Sequence, residues 1–374
     1  MKENYKRPLL IKILNLFLYP KNLKFNAINK WYENKYAIQL PPKVKKYLKL
    51  ILEEVYTENK FDPFGKLLFN IFIKENLKNL AYVEKNHKEF NQKCIFIIGL
   101  PRTGSTFFHK LLARSPELSA LKFWELNKIG RYNLSVWRRL QGKLMLLMQY
   151  YLTPEIAYIH KVDNEGPEEC SKILLCTFIT QIYPIMFRLP KYEKELLNEN
   201  FDFTYNFYKK SLSLIKNDKK TLVLKAPMHL QALDQLDKHF PNTKFIFLHR
   251  ELKSVLPSSY SLARTYSHMF IPKINESLQI ESIHQRLSHD LNNAIAYAGN
   301  IKNLVHLSYS DITSETPEVI KRLNHFLKLE IKDLNNKKEK DKKHLKHKYQ
   351  KITSIPNEFK EYQNFLKEKN IIFE

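Results

Sequence analysis

Cys94-Ile95-Phe96-Ile97-Ile98-Gly99-Leu100-Pro101-Arg102-Thr103-Gly104-Ser105-Thr106-Phe107 is the stretch that decides the fold. Five apolar residues meet a turn at Gly99-Leu100-Pro101, and a helical pattern runs from Ser105 to Arg114: strand, loop, helix. The loop holds two glycines five positions apart, directly after the strand and opening the helix. In that setting successive backbone N–H groups and the helix N-terminus converge on an anion, helped by the hydroxyls of Ser105 and Thr106. The segment reads as a phosphate-binding loop. A tight strand-to-helix turn without a ligand is the alternative.

Working outward, the alternation recurs. Thr221-Leu222-Val223-Leu224-Lys225 precedes a helix bounded by Pro227 and running to His239. Lys244-Phe245-Ile246-Phe247-Leu248 precedes a helix from about Leu252 to Ala263, and Asn303-Leu304-Val305-His306-Leu307 precedes another begun near Pro317. Continuous apolar strands separated by helices predict a mostly parallel sheet covered on both faces. The expected fold is therefore α/β, a P-loop-like three-layer core over residues 91–328 with a helical insertion at 134–215. Residues 1–90, with apolar positions at three- and four-residue spacing through Val44 to Val55 and Phe64 to Leu80, read as a helical N-terminal annex. Residues 329–374 read as a basic C-terminal tail closing on the core, with Lys337-Lys338-Glu339-Lys340-Asp341-Lys342-Lys343 as a solvated run.

The chain has 374 residues and a formal net charge of +24, which invites an anionic partner or reflects a Lys-rich composition. Cys94, Cys170 and Cys176 lack metal-ligand spacing, so neither a disulfide framework nor a metal site is expected, and a reducing, cytoplasmic setting fits. Lys12 and Asn15 interrupt the apolar run Leu9 to Tyr19, and no small-residue cleavage site follows it, so it does not read as a signal peptide. Residues 1–25 could instead lie along a membrane surface as an amphipathic helix, giving peripheral membrane contact, or pack on the core.

An NTPase loop carries Lys after its second glycine, whereas Ser105 stands there and the cation comes earlier, as Arg102. That counts against a P-loop kinase. The segment Pro101 to Phe107 resembles the 5′-phosphosulfate-binding loop of sulfotransferases that use 3′-phosphoadenosine 5′-phosphosulfate (PAPS). His249-Arg250-Glu251-Leu252-Lys253-Ser254-Val255-Leu256-Pro257-Ser258 is similar to the same family's 3′-phosphate element, with Arg250 and Ser258 eight residues apart. Trp124-Glu125, Gly166-Pro167-Glu168-Glu169-Cys170 and Leu224-Lys225-Ala226-Pro227 match a group within that family. The resemblance implies PAPS as sulfonate donor, held by Arg102, Thr103, Gly104, Ser105, Thr106, Arg250 and Ser258, with no metal. It implies transfer to a hydroxyl or amine of a small-molecule, glycan or lipid acceptor.

Five residues are candidates for the chemistry beside Arg102. Glu125 lies just behind the loop helix after a short strand at Leu118 to Phe123, where several sulfotransferase groups place a catalytic glutamate, and it leads the candidates for general base. Lys225 ends a core strand, where crevices of open α/β sheets form, and by the resemblance would stabilise charge on the sulfonate and the bridging oxygen. His229 is offset: cytosolic sulfotransferases carry their histidine two residues after the equivalent lysine, and Pro227 stands there. It is catalytic if the turn bends it inward and a structural hydrogen-bonder otherwise. Glu168 and Glu169 after Pro167 could begin a helix, serve as the base, or bind a basic or polar group of the acceptor. Besides a kinase-like enzyme, a basic membrane-surface module is the rival reading. Nucleic acid is not an expected partner, because no nucleic-acid fold motif occurs.

Overall fold

The strands expected from their apolar runs form one parallel sheet. In the computed structural model, which describes residues 5–58, 61–131, 134–215, 220–314, 317–330, 352 and 354–371, they are β1 (Cys94–Gly99), β2 (Leu118–Ala120), β3 (Thr221–Lys225), β4 (Lys244–His249) and β5 (Leu304–Ser308). Their order is β2-β3-β1-β4-β5, parallel throughout, with Ile97 opposite Lys225 and Gly99 opposite Leu248. The chain leaves β1 toward one side of the sheet and reaches β4 and β5 on the other, so the C-terminal ends of β3, β1 and β4 border a topological switch point.

Among the described residues four helices precede the sheet: α1 (Leu9–Phe17), α2 (Phe25–Tyr36), α3 (Pro42–Thr57) and α4 (Pro63–Asn86). After β1 come α5 (Ser105–Leu112), α6 (Phe123–Asn127) and the run α7 (Ser135–Leu152), α8 (Ile156–Ile159), α9 (Ser171–Leu175), α10 (Ile182–Phe187), α11 (Pro190–Leu197) and α12 (Asp202–Ile215). Past β3 lie α13 (Leu233–His239), α14 (Leu252–His268), α15 (Glu276–Ala298), α16 (Tyr309–Ser314), α17 (Pro317–Leu327) and α18 (Lys360–Glu368).

The two-residue period of the strands sorts the core into layers. Phe96, Ile98, Leu222, Leu224, Phe245 and Phe247 point into the larger cluster, built with the N-terminal helices and α9 to α15. Ile95, Ile97, Val223, Ile246 and Leu248 point to the opposite face, against Phe108, Leu111 and Leu112 of α5 and Leu323 and Leu327 of α17. Lys225, two residues after Val223, therefore emerges on the α5 side.

Three elements depart from the sequence expectation. The strand at 118–123 stops at Ala120, because Lys122 pairs with Pro167 and Phe123 already begins α6. The helix expected from Pro227 to His239 is a 3-10 turn, Pro227–Ala232, followed by α13, the break falling at Ala232 with φ −157°. The helix after β4 does not end at Ala263: it continues to His268, through Pro257. The Lys-rich run 337–343 lies outside the described residues. Beyond it Phe359, Tyr362 and Leu366 are buried, and the Tyr362 hydroxyl sits 2.8 Å from Nδ1 of His249 at the end of β4.

Candidate active site

The glycine loop is shaped by backbone that only glycine adopts freely. Gly104 caps α5 at φ 83°, and a Cβ there would lie 2.7 Å from Cδ1 of Ile312 and 2.8 Å from Cδ2 of Tyr309. Phe108 donates to the Gly104 carbonyl at 3.0 Å, which leaves the amides of Ser105, Thr106 and Phe107 as the open donors of a helix N-terminus. Thr103 donates its hydroxyl to the Leu100 carbonyl at 2.9 Å and closes the turn.

Arg102 takes a left-handed backbone, φ 71°, disfavoured for a residue with a Cβ. Its hydrogen bonds hold it there: Nε donates to Oγ of Ser258 at 2.8 Å, Nη1 to the Ile159 carbonyl at 2.6 Å, and its own carbonyl accepts from Nη1 of Arg250 at 2.9 Å. The guanidinium of Arg250 also lies 3.9 Å over the ring of Tyr309. The residues of the two sequence motifs, 148 and 156 positions apart, thus form one hydrogen-bonded group at the C-terminal ends of adjacent strands.

Lys225 completes it from β3. Its Nζ donates to Oγ1 of Thr106 at 3.1 Å and to Oε1 of Glu169 at 2.5 Å, with the lysine side chain 2% exposed and the glutamate 25%. A buried ammonium is stable only with such a partner. The helix expected after Pro167 does not begin there, and α9 starts at Ser171. Glu168 donates its N–H to the Leu121 carbonyl and Cys170 to that of Lys225, so the segment runs extended across the strand ends. Burial raises the Glu168 carboxyl, but the hydrogen bond and charge of His160, then Lys225 and the Glu169 amide, outweigh it and hold the group down to about 2. Tyr266 of α14 faces the same carboxylates: burial raises its hydroxyl, and Glu169 and Glu168 add to the shift.

Glu125 and His229 are placed differently. One oxygen of Glu125 accepts the Lys122 N–H at 2.8 Å, capping α6, while the residue is 5% exposed. His229 is fully buried, with Nδ1 3.2 Å from the Tyr205 hydroxyl and Nε2 3.3 Å from Sγ of Cys170, packed against Phe96 and Tyr208. Burial pushes its imidazole down to about 3. Sequence reasoning did not foresee the Glu169–Lys225 pair, whose members stand 56 residues apart, or the Ile159 carbonyl that aims Arg102. Among the described residues no group of three or more His, Cys, Asp or Glu side chains is arranged for a metal ion.

A parallel sheet in this order, with a glycine loop feeding α5 at its switch point, defines an α/β protein of the P-loop class. More narrowly, the chain belongs to the sulfotransferase family, whose sequence profile matches residues 94–333. Sulfotransferase STF1 from Mycobacterium tuberculosis H37Rv aligns with a TM-score of 0.68 at 18% identity, over 88% of this chain and 94% of its own. Sulfotransferase STF9 from Mycobacterium avium gives 0.66 at 18% identity, over 83% and 84%. Both likenesses are of fold. No curated protein matches the chain.

Proposed function

We propose that the protein transfers a sulfonate from PAPS to a hydroxyl or amine. The observation that carries this reading is the joining of Arg102, Ser258 and Arg250 into one cationic, hydrogen-bonded group beside the N-terminus of α5. A nucleotide with phosphate on both sides of its ribose needs two anion sites side by side, and these residues supply them. The α5 N-terminus with Thr103, Gly104, Ser105 and Thr106 suits the 5′-phosphosulfate, and Arg250 with Ser258 suits the 3′-phosphate. The loop suits such a ligand, since the amides of Ser105, Thr106 and Phe107 stand open at the α5 N-terminus and Ser105 replaces the lysine of an NTPase.

Bound there, PAPS would supply a sulfonate activated by its anhydride link to the 5′-phosphate. Lys225 and the amides of α5 would hold the negative charge that grows on the bridging oxygen as its bond to sulfur breaks. Lys225 is now neutralised by Glu169. An arriving anion competes for that ammonium and frees the Glu169 carboxylate, which takes the acceptor proton as the new oxygen–sulfur bond forms. We therefore assign Glu169 the role of general base. Glu125 becomes a positioning residue through its cap on α6, and His229 a structural one within its aromatic enclosure.

Isothermal titration with 3′-phosphoadenosine 5′-phosphate, beside Arg250→Ala and with ATP as competitor, tests the donor assignment. Tight binding of the bisphosphate, lost in the variant and unmatched by ATP, is expected. No binding to the intact protein would remove PAPS as donor and return the loop to a generic anion site.

A further inference from the structure

Helix α7 carries its apolar stripe on the face it leaves exposed. Arg138, Gly142, Leu146, Gln149 and Leu152 turn inward and are buried. The outward stripe Trp137, Leu140, Leu144, Leu147 and Tyr151, at spacings of three and four, is 69%, 46%, 57%, 64% and 45% exposed. A solvent-facing helix side should be polar. Helix α1 repeats the anomaly: Ile11 is its one buried residue, while Leu9, Leu16 and Phe17 are 73%, 67% and 74% exposed.

Polar contacts at its base fix α1 in this posture. Arg7 forks onto Asp62 at 2.8 and 2.9 Å and donates to the His268 carbonyl at 2.9 Å, all within the fold. The hydroxyl of Tyr5 donates to the Leu152 carbonyl at 2.8 Å, so the start of α1 adjoins the end of α7. The segment that leads into α1 is thus tied to the C-terminal end of α7.

Charge identifies the occupant. From Tyr5 to Tyr32 the sequence has six basic residues and no acid, and from Leu126 to Pro154 five basic residues and no acid. Lys6, Lys12, Lys21 and Lys24 beside α1 and Lys143 on α7 are exposed. Arg7 and Arg139 are paired with Asp62 and Glu165 and Arg138 is buried, so these lysines carry the charge of the face; a second copy of the chain would set them against their own like, and residues 331–350 of the same chain are themselves Lys-rich. Exposed Leu, Phe and Trp interleaved with Lys are what an interfacial helix offers to anionic lipid, each nearby cation adding attraction. No helix among the described residues is long and apolar enough to cross a bilayer.

We infer that α1 and the outer stripe of α7 form a docking surface for an anionic membrane, on which the protein lies without spanning it. The test is co-sedimentation of the full chain with phosphatidylcholine vesicles, with and without about 30% phosphatidylglycerol, beside Trp137→Glu/Leu144→Glu and Leu9→Glu/Phe17→Glu. These exposed positions tolerate the change, and unaltered thermal unfolding verifies that the variants are folded. Partition onto the anionic vesicles, at least about tenfold weaker on phosphatidylcholine alone and for each double variant, is expected. Absence of partition, or partition unchanged in both variants, overturns the inference. So does a dimer in light scattering that the same substitutions dissolve, which would give the face to a second copy. The assay uses no nucleotide, so its outcome is independent of the donor assignment.

Discussion

At the scale of single residues the proposed chemistry rests on the Lys225–Glu169 pair. Glu169→Gln removes the proposed base while leaving a neutral partner for Lys225, and kcat should fall by about 10²–10⁴-fold, with donor binding no weaker and if anything tighter, since no carboxylate then competes for the ammonium. Glu125→Gln can no longer accept the Lys122 N–H with a charge, so its loss should appear mainly as lower stability and a raised acceptor KM. A large kcat loss confined to Glu125→Gln would transfer the base to α6. Lys225 was readable from its place at the end of an apolar strand. Glu169 was a candidate from its place after Pro167, but its pairing with Lys225 was not readable, because nothing local announces a contact made across 56 residues.

At the scale of elements the loop and α5 act as one. Gly104→Ala forces a side chain into left-handed backbone and against Ile312 and Tyr309. The strain is about 1–3 kcal/mol, and it can be relieved only by moving the loop or α16. The expected outcome is a lower Tm together with at least about tenfold weaker bisphosphate binding in titration. Lower stability with unchanged affinity would show that the cradle does not depend on this turn. The glycine was legible because strand, glycine and helix follow one another in sequence. The split at Ala232 and the run of α14 through Pro257 were not, since both depend on packing around residues whose local propensities allow either outcome.

At the scale of the whole molecule the charge of +24 should draw in any anionic donor from a distance. Raising salt from about 20 mM to about 300 mM shortens the screening length several-fold, so the donor KM should rise several-fold while kcat stays nearly constant. A KM indifferent to salt would mean that the charge is a compositional habit without a part in capture.

The sequence by itself determined the α/β class, the order of strands along the chain and the glycine loop between β1 and α5, because each is a local pattern of apolar runs, glycines and helix starts. Only the tertiary structure decided how β3 came to lie between β2 and β1, which carboxylate neutralises Lys225, and that His229 is walled in by Phe96, Tyr205 and Tyr208. It also decided that α7 covers the stripe holding Arg138 and Gln149 and leaves bare the apolar stripe of Trp137 and Leu144. Both stripes have helical spacing, and a one-dimensional pattern records spacing without saying which side another part of the chain will occupy.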